Sequence, residues 1–499
     1  MNLENLLNHL TIKKITGELS DQPIQKITQD TREVEAGDIF ICIEGSNFDG
    51  HQYAATAIEK GAIAVIARKT VETNGSVPII YVNNTDKAMA ILANAFYDFP
   101  SNQFQLVGVT GTNGKTTISF IIEAIMKGLK KGTGLIGTVG IQINDDFYPT
   151  KNTTPDSITL QRVLKQMREE AVDLCAMEVS SQALVKGRVW GVNFDVAVMT
   201  NLTHEHMELH NTMAEYREAK KLLFSQLGNS YSQPFNRPKV AVLNKDDETF
   251  EGYALATAAE VISYSVKDKA ADFFADRIHY DEDSTQFDLV VGDKTYPVKS
   301  VLVGEYNVAN VLAAIAAVYA LGYDLEAIIT AYESFKGVVG RMELVSTAKE
   351  DVKVYVDYAH SPDAMEKVLE TVKMISKGKI ISVFGCPGKR EADKRPIMAK
   401  IGVEQSDYAI MTTDETKQDD QSQIWEMMRA GIPEGMTNYS YIENRTEAIY
   451  KAVEMAEPGD IVLLLGRGHD TIYYDEKGRI YHFSDQEAAR NALERRKLI

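Results

Sequence analysis

Cysteine is scarce in this chain of 499 residues: Cys42, Cys175 and Cys386 stand far apart and are odd in number. Such a set builds no disulfide framework and fits a reducing compartment, so a cytoplasmic location is expected. No run of about 18 apolar residues occurs, so no membrane-spanning helix and no stable membrane insertion are expected. The start, MNLENLLNHLTIKK, has no basic stretch followed by an apolar block, so no secretory signal is expected. Positive charge is also short: 53 Lys and Arg stand against 71 Asp and Glu, a formal net charge of −18. Nucleic-acid binding, whose affinity comes from phosphate neutralisation, is disfavoured. A small phosphate ester needs only a few local donors and stays open as a ligand.

What is present is a globular composition, with 44% hydrophobic and 25% charged residues. The length suggests about three domains. Apolar runs DIFICIEG, GAIAVIAR and VPIIYV mark a small α/β domain over residues 1–100, closed by a linker around Pro100. A second unit, 101–336, opens with the strand QLVGVT, a glycine loop and a helix, followed by strands in VDLCAMEV, FDVAVMTNL and PKVAVLN. That alternation predicts a doubly wound, mostly parallel sheet, while STQFDLVVGDKTYPVKSVLV reads as an antiparallel hairpin. A third unit, 337–499, repeats the alternation with VKVYVDYA, KIISVFG, DYAIMTT and DIVLLLG and predicts a Rossmann-like domain. The fold class is therefore α/β in three domains, with the glycine loop in the central one.

The loop VGVTGTNGKTTISF is irregular. The usual P-loop, G-x-x-x-x-G-K-[ST], would place glycine at position 109, where the chain has Val109; its glycines are Gly108, Gly111 and Gly114. Glycines between a strand and a helix let backbone N–H groups wrap an anion. Gly111, Thr112, Asn113, Gly114, Lys115, Thr116 and Thr117 are thus ATP-binding candidates, with Lys115 against the outer phosphates and the Thr116 hydroxyl on magnesium. Glu178, ending the strand of CAMEVSSQAL, faces the crevice where ligands of such sheets sit and offers oxygen to magnesium. TNLTHEHMELH holds His204, His206 and His210 close together, a spacing that suggests zinc at first sight.

TGTNGKTT resembles the ATP loop of the Mur ligases and of the related folylpolyglutamate synthases, and further matches run over nearly the whole chain. They are most similar to the type that adds the third amino acid to UDP-N-acetylmuramoyl-L-alanyl-D-glutamate. The resemblance implies a cytoplasmic enzyme of peptidoglycan synthesis that phosphorylates a carboxylate and lets an amine displace the phosphate. It implies ATP and magnesium, with His206 rather than a zinc cluster reaching the metal; Glu205 and Glu208 replace the family's aspartates, and Gln182 its histidine. Lys220, in YREAKKLLF, stands where the family carries a lysine carbamylated by carbon dioxide, making Thr116, Glu178, His206 and Lys220 the implied metal set. Taken alone, such a lysine would be a solvated face.

The same resemblance implies the other contacts. Thr31, Ser46, Asn47 and Phe48 would receive the UDP end; Thr153, Thr154, Ser180, Lys186 and Arg188 the muramoyl dipeptide. Asn307, Asn310, Arg341 and Asp357 would complete the ATP site. Arg390, Asp414, Glu415, Thr416, Lys417, Gly466 and Asp470 would receive the amino acid. There the chain departs from its family: DETK matches neither the D-N-P-R of diaminopimelate-adding members nor the D-[DN]-P-[NA] of lysine-adding ones, and GRGHD replaces G-K-G-H-E. Lys417 keeps the charge of the arginine but not its fork, which leans toward meso-diaminopimelate over lysine on charge alone. The implied partners are small molecules, and a monomer is expected. Two rival readings remain: another carboxylate–amine ligase such as a folylpolyglutamate synthase, and a P-loop binding module without catalysis.

Overall fold

The structure is a computed structural model that describes residues 1–497 except 46–47, 74, 205–208, 233–235, 282–283, 390 and 475–476. Three sheets organise it. The first has five strands between Lys14 and Tyr81, of which Ile39–Ile41, Ala64–Ala67 and Ile79–Tyr81 are the strands expected from the apolar runs. Its helix Thr85–Phe96 begins at Asn84, whose side chain accepts from the Lys87 N–H and satisfies one of the free donors of the first turn.

The central sheet has eleven strands. Its parallel heart runs Glu260–Ser265, Val240–Asn244, Val196–Met199, Gln105–Thr110, Leu174–Glu178, Thr133–Ile136. Gln105–Thr110 is buried along its whole length, as a strand covered on both faces must be. Antiparallel strands extend both ends, including the hairpin Thr285–Val291 with Lys294–Ser300. Helix Lys115–Gly128 buries Ile118, Ile121, Ile122, Ile125 and Met126, an i, i+3, i+4, i+7, i+8 stripe, against the sheet and against helix Glu305–Ala320. The second helix is apolar nearly all round and is correspondingly buried. Each such Ile, Leu or Val removed from water contributes about 1.5–3 kcal/mol, which makes this helix pair the anchor of the nucleotide loop.

The third sheet has six strands in the order Glu343–Leu344, Lys353–Asp357, Ile461–Leu465, Ile380–Phe384, Tyr408–Thr412, Tyr439–Ile442, parallel except for the first. Four of its parallel strands deliver Asp357, Gly466, Gly385 and Asp414 to one carboxyl edge, the side on which open α/β sheets bind ligands. No helix among the described residues is long and apolar enough to cross a membrane.

Candidate active site

Most of the long helices here start on a side-chain cap: Asp156, Thr212, Asp324 and Ser361 each accept from a first-turn N–H. Helices Lys115–Gly128 and Glu305–Ala320 do not. They begin at Gly114 and Gly304, both at positive φ (88° and 103°), with no side-chain cap bond. Their first turns have no side-chain acceptor, and Lys115–Gly128, at the end of the parallel strand Gln105–Thr110, can offer its free N–H groups to an anion. Gly111 and Gly114 admit no side chain. A Cβ on Gly111 would lie 1.7 Å from Thr200 Oγ1, and one on Gly114 2.4 Å from Asn310 Oδ1. The loop is clamped from the neighbouring strand end, where Thr200 Oγ1 donates to Asn113 O (2.6 Å) and Asn113 N–H donates to Asn201 Oδ1 (3.0 Å). Lys115 Nζ donates to the loop carbonyls of Gly111 and Thr112 (2.9 and 2.8 Å).

Lys220 is not on a solvated face. It is 1% exposed, and its Nζ donates to the same Gly111 carbonyl at 2.7 Å, over the ring of Tyr216. His210 lies beside it, donating to or accepting from Ser181 Oγ; burial and the Lys220 charge push its imidazole below the usual value. His206, with Glu205 and Glu208, lies outside the described residues, as do Ser46, Asn47 and Arg390.

Glu178 is 1% exposed and accepts from Thr138 twice, from the backbone N–H (2.9 Å) and the hydroxyl (3.1 Å). Among the described residues it has no cationic partner. A buried carboxylate held only by neutral donors fits a cation supplied from outside, and its oxygen chemistry suits magnesium. The one group of three possible metal ligands among the described residues lies elsewhere, at Glu44, Asp49 and His51. That group is already consumed: His51 Nδ1 meets Asp49, its Nε2 accepts the Arg68 N–H, and Lys69 bridges both carboxylates.

The dipeptide candidates join Glu178 directly. Thr153 Oγ1 lies 3.1 Å from Thr138 Oγ1, and Thr154 Oγ1 donates to Glu178 O (2.9 Å) and accepts from Ser180 N. Arg188 Nη1 donates to Thr154 O (2.9 Å), and Ser180 caps the next helix. Lys186 is near enough to Asp86 to act on its carboxyl across the first and second sheets. Thr31 and the exposed Phe48 belong to the first domain, where the neighbouring Asp30 lies near enough to Lys151, two residues before Thr153, for that charge to act on its carboxyl.

Two sheets meet over the loop. Arg341 Nη2 donates to Thr116 Oγ1 (3.2 Å) while its guanidinium stacks on Tyr358. Asp357 accepts from the Met342 and Ala359 N–H groups; burial raises its carboxyl, and Arg341 opposes that. Asn310 Nδ2 donates to Asn307 Oδ1, so this amide pair backs Gly114. Sequence reasoning missed Asp363, whose Oδ2 accepts from Asn113 Nδ2 (2.8 Å), Thr203 Oγ1 (3.2 Å) and Lys367 Nζ (2.9 Å). Its only signal was its place in the first turn after the Ser361 cap. Thr138 was missed too, and it carries no motif.

At the far edge of the third sheet, Asp414 is buried. Burial would raise its carboxyl, but Arg445 and Arg467 outweigh that and hold it below the usual range. Arg467, 1% exposed, donates to Asp414 Oδ1 (3.1 Å) and to Ile472 O, between the rings of Tyr473 and Phe483. Thr416 is buried under Gly388, whose N–H donates to Glu415 O (2.7 Å). Glu415 and Lys417 form an ion pair at 3.1 Å. Asp470 feels the charges of Arg467, Glu415, Asp414 and Lys417, and Gly466 backs Asp414 closely.

A glycine-started helix pair, a buried lysine and carboxylate beside it, and a third sheet closing on the loop define a nucleotide-dependent enzyme of three α/β domains. The chain belongs to the Mur ligase family and is an ATP-dependent ligase. Three family models match it: the Mur ligase middle domain over residues 109–318, the Mur ligase glutamate ligase domain over 340–468, and the Mur ligase family catalytic domain over 23–97. It is 46% identical over 495 residues to a UDP-N-acetylmuramoyl-L-alanyl-D-glutamate--2,6-diaminopimelate ligase of Lactiplantibacillus plantarum, covering 99% of each chain. The ligase of the same description from Bacillus velezensis is 43% identical, again over 99% of each chain. A solved structure of a ligase of that description superposes with a TM-score of 0.70 at 29% identity, covering 99% of both chains.

Proposed function

We propose that the chain joins an amino acid, meso-diaminopimelate by preference, to the D-glutamate of UDP-N-acetylmuramoyl-L-alanyl-D-glutamate in cytoplasmic peptidoglycan synthesis, acting as a monomer. The observation that carries this is the unbroken hydrogen-bonded path from the dipeptide cradle, Thr153, Thr154, Ser180 and Arg188, to Glu178 beside the P-loop. A carboxylate substrate held by this cradle would lie next to the γ-phosphate. The full-length likeness to ligases described as adding 2,6-diaminopimelate supports the choice of amine.

In this reading residues 1–100 hold UDP through Thr31, Ser46, Asn47 and Phe48, residues 101–336 bind ATP, and residues 337–499 bring the amino acid. Lys115 leaves its loop carbonyls and meets the outer phosphates, the uncapped N–H groups of the helix holding the rest. Asn307 and Asn310 take the adenine side, Asp357 the ribose, and Arg341 moves from Thr116 to the phosphates. Thr116, Glu178, His206 and a carbamate on Lys220 would hold magnesium, which supplies charge neutralisation to the transferring phosphoryl group. The glutamate carboxylate attacks the γ-phosphorus and ADP leaves; the neutral amine then adds to the acyl carbon and, losing a proton, expels inorganic phosphate to leave the amide. The third domain, seated on the loop, keeps water from that intermediate. The protein contributes positioning and charge rather than a nucleophile.

The test is phosphate release with UDP-muramoyl dipeptide and a panel of amines, with product masses. Turnover that requires both substrates and yields the tripeptide mass is expected. Turnover only with a folate would instead assign the folylpolyglutamate reaction. Carbon-13 bicarbonate should give a carbamate signal that Lys220→Ala lacks.

A further inference from the structure

Two buried polar atoms beside the P-loop are chemically complementary. Arg341 meets the loop through Nη2 on Thr116 Oγ1 (3.2 Å) and lays its guanidinium on the Tyr358 ring, 4.6 Å from the ring centre. Its Nε is buried and has no hydrogen-bond partner among the described residues. His469 packs against the same ring, with 5.1 Å between ring centres and 31° between planes, and its Nδ1 is buried and unpartnered in the same way. Arg341 Nε–H can only donate. What His469 Nδ1 can do depends on the state of its ring. Burial, and after it the Arg341 charge, pushes the imidazole down to about 4, so the ring is neutral around pH 7. Its Nε2 lies 3.7 Å from Asp470 Oδ1, so the single ring proton faces that carboxylate and the lone pair stays on Nδ1. One stack thus holds an orphaned donor and an orphaned acceptor.

The backbones that carry them are fixed on each other. A Cβ on Gly340 would lie 2.3 Å from His469 N, so the chain leading into Arg341 touches the turn that holds His469. Gln486 Nε2 donates to Gly468 O (3.0 Å) and to Glu343 Oε2 (2.9 Å), and that same carboxylate oxygen accepts from Gly340 N–H (2.8 Å). Asp357 acts on the Arg341 charge, but it is engaged by the Met342 and Ala359 N–H groups. The guanidinium is the part left to move, pivoting over Tyr358. Held at Nη2 alone it can rotate; held at Nε as well it has a fixed plane.

We propose that His469 is a positioning residue for Arg341: when the guanidinium leaves Thr116 for the ATP phosphates, its Nε–H is taken by His469 Nδ1, which fixes the plane in which the Nη groups meet the phosphates. This rests on the ligase reading above. The bond pairs two buried atoms at once, so it favours the ATP-bound position of the arginine over the one on Thr116.

The test compares His469→Asn, His469→Gln and His469→Phe in turnover of ATP, UDP-muramoyl dipeptide and diaminopimelate. Asparagine sets its amide oxygen close to where Nδ1 stands, glutamine sets its polar atoms near Nε2, and phenylalanine keeps only the ring. Turnover is counted per ATP-binding site titrated in each preparation, so misfolded material cancels. In His469→Gln and His469→Phe kcat should fall about ten- to a hundredfold, and in His469→Asn by less than about threefold. The KM for diaminopimelate should move by less than about threefold in all of them, because Asp470 is unaltered. Arg341→Lys carries no Nε–H in that position, and adding His469→Phe to it should cost no more than about twofold. Native kcat in His469→Gln and His469→Phe, an equal loss in His469→Asn, or the same loss on both Arg341 backgrounds overturns the proposal alone. No turnover by the unaltered protein with any amine overturns the ligase reading and this proposal with it.

Discussion

Asp470 is a carboxyl whose charge changes near neutrality. Burial pushes it up to about 6, with Arg467 and Lys417 pulling down and Glu415 and Asp414 pushing up. Protonated, it no longer attracts an incoming ammonium. The KM for the amino acid should therefore rise as pH falls below about 6, with an inflection that Asp470→Asn lacks; identical profiles for the two proteins would remove Asp470 from the site. The folded value lies above the ordinary 3.8, so the folded state holds a proton that the unfolded chain has released. That contribution is full below 3.8 and is lost as pH rises through about 6. Glu178 gives a second test at this scale. A buried carboxylate with no cationic partner among the described residues costs stability, so Glu178→Gln in EDTA should melt no lower than the native protein. Its magnesium-dependent turnover should nevertheless fall by at least about a hundredfold. A lowered melting temperature would make Glu178 structural instead.

At the scale of elements, the proposed nucleotide site rests on the glycine-started helix Lys115–Gly128, backed by Glu305–Ala320. Gly114→Ala would meet Asn310 Oδ1 at 2.4 Å on a backbone of φ 88°. It should cost about 1–3 kcal/mol of stability and weaken ATP binding at least about tenfold, read by thermal unfolding and by titration calorimetry. These elements were legible beforehand because their signals are local. QLVGVT is an apolar strand that runs straight into the glycine loop at Gly111, and the helix stripe from Ile118 to Met126 has the period of one buried face. The burial of Lys220 was not legible, since YREAKKLLF alone does not tell which lysine turns inward. Lys220 is buried and Lys221 pairs outward with Glu218. Thr138 and Asp363 were invisible for a different reason. Each acts on a residue 40 or 250 positions away, and no spacing rule spans such distances.

For the whole molecule the question is what keeps the third sheet over the loop. Beside the packing of Val303 and Tyr280 against the third sheet's core, two polar contacts do so: Arg341 on Thr116, and Asp363 on Asn113 and Thr203. The first is made by a residue that, in the proposed mechanism, transfers to the phosphates when ATP arrives. The second involves no such residue. Asp363 can therefore hold the arrangement both before and after nucleotide binds, with Lys367 balancing its charge. Asp363→Ala leaves Asn113 without that acceptor at the edge of the P-loop, and closure should then depend on ATP alone. Small-angle scattering should show the variant more extended than the native protein without nucleotide and close to it with ATP and magnesium. Its KM for ATP should rise severalfold, since part of the binding energy must now close the domains, while kcat at saturation changes much less. Equal dimensions in both states, together with a lowered kcat at unchanged KM, would place Asp363 in the chemistry rather than in the closure.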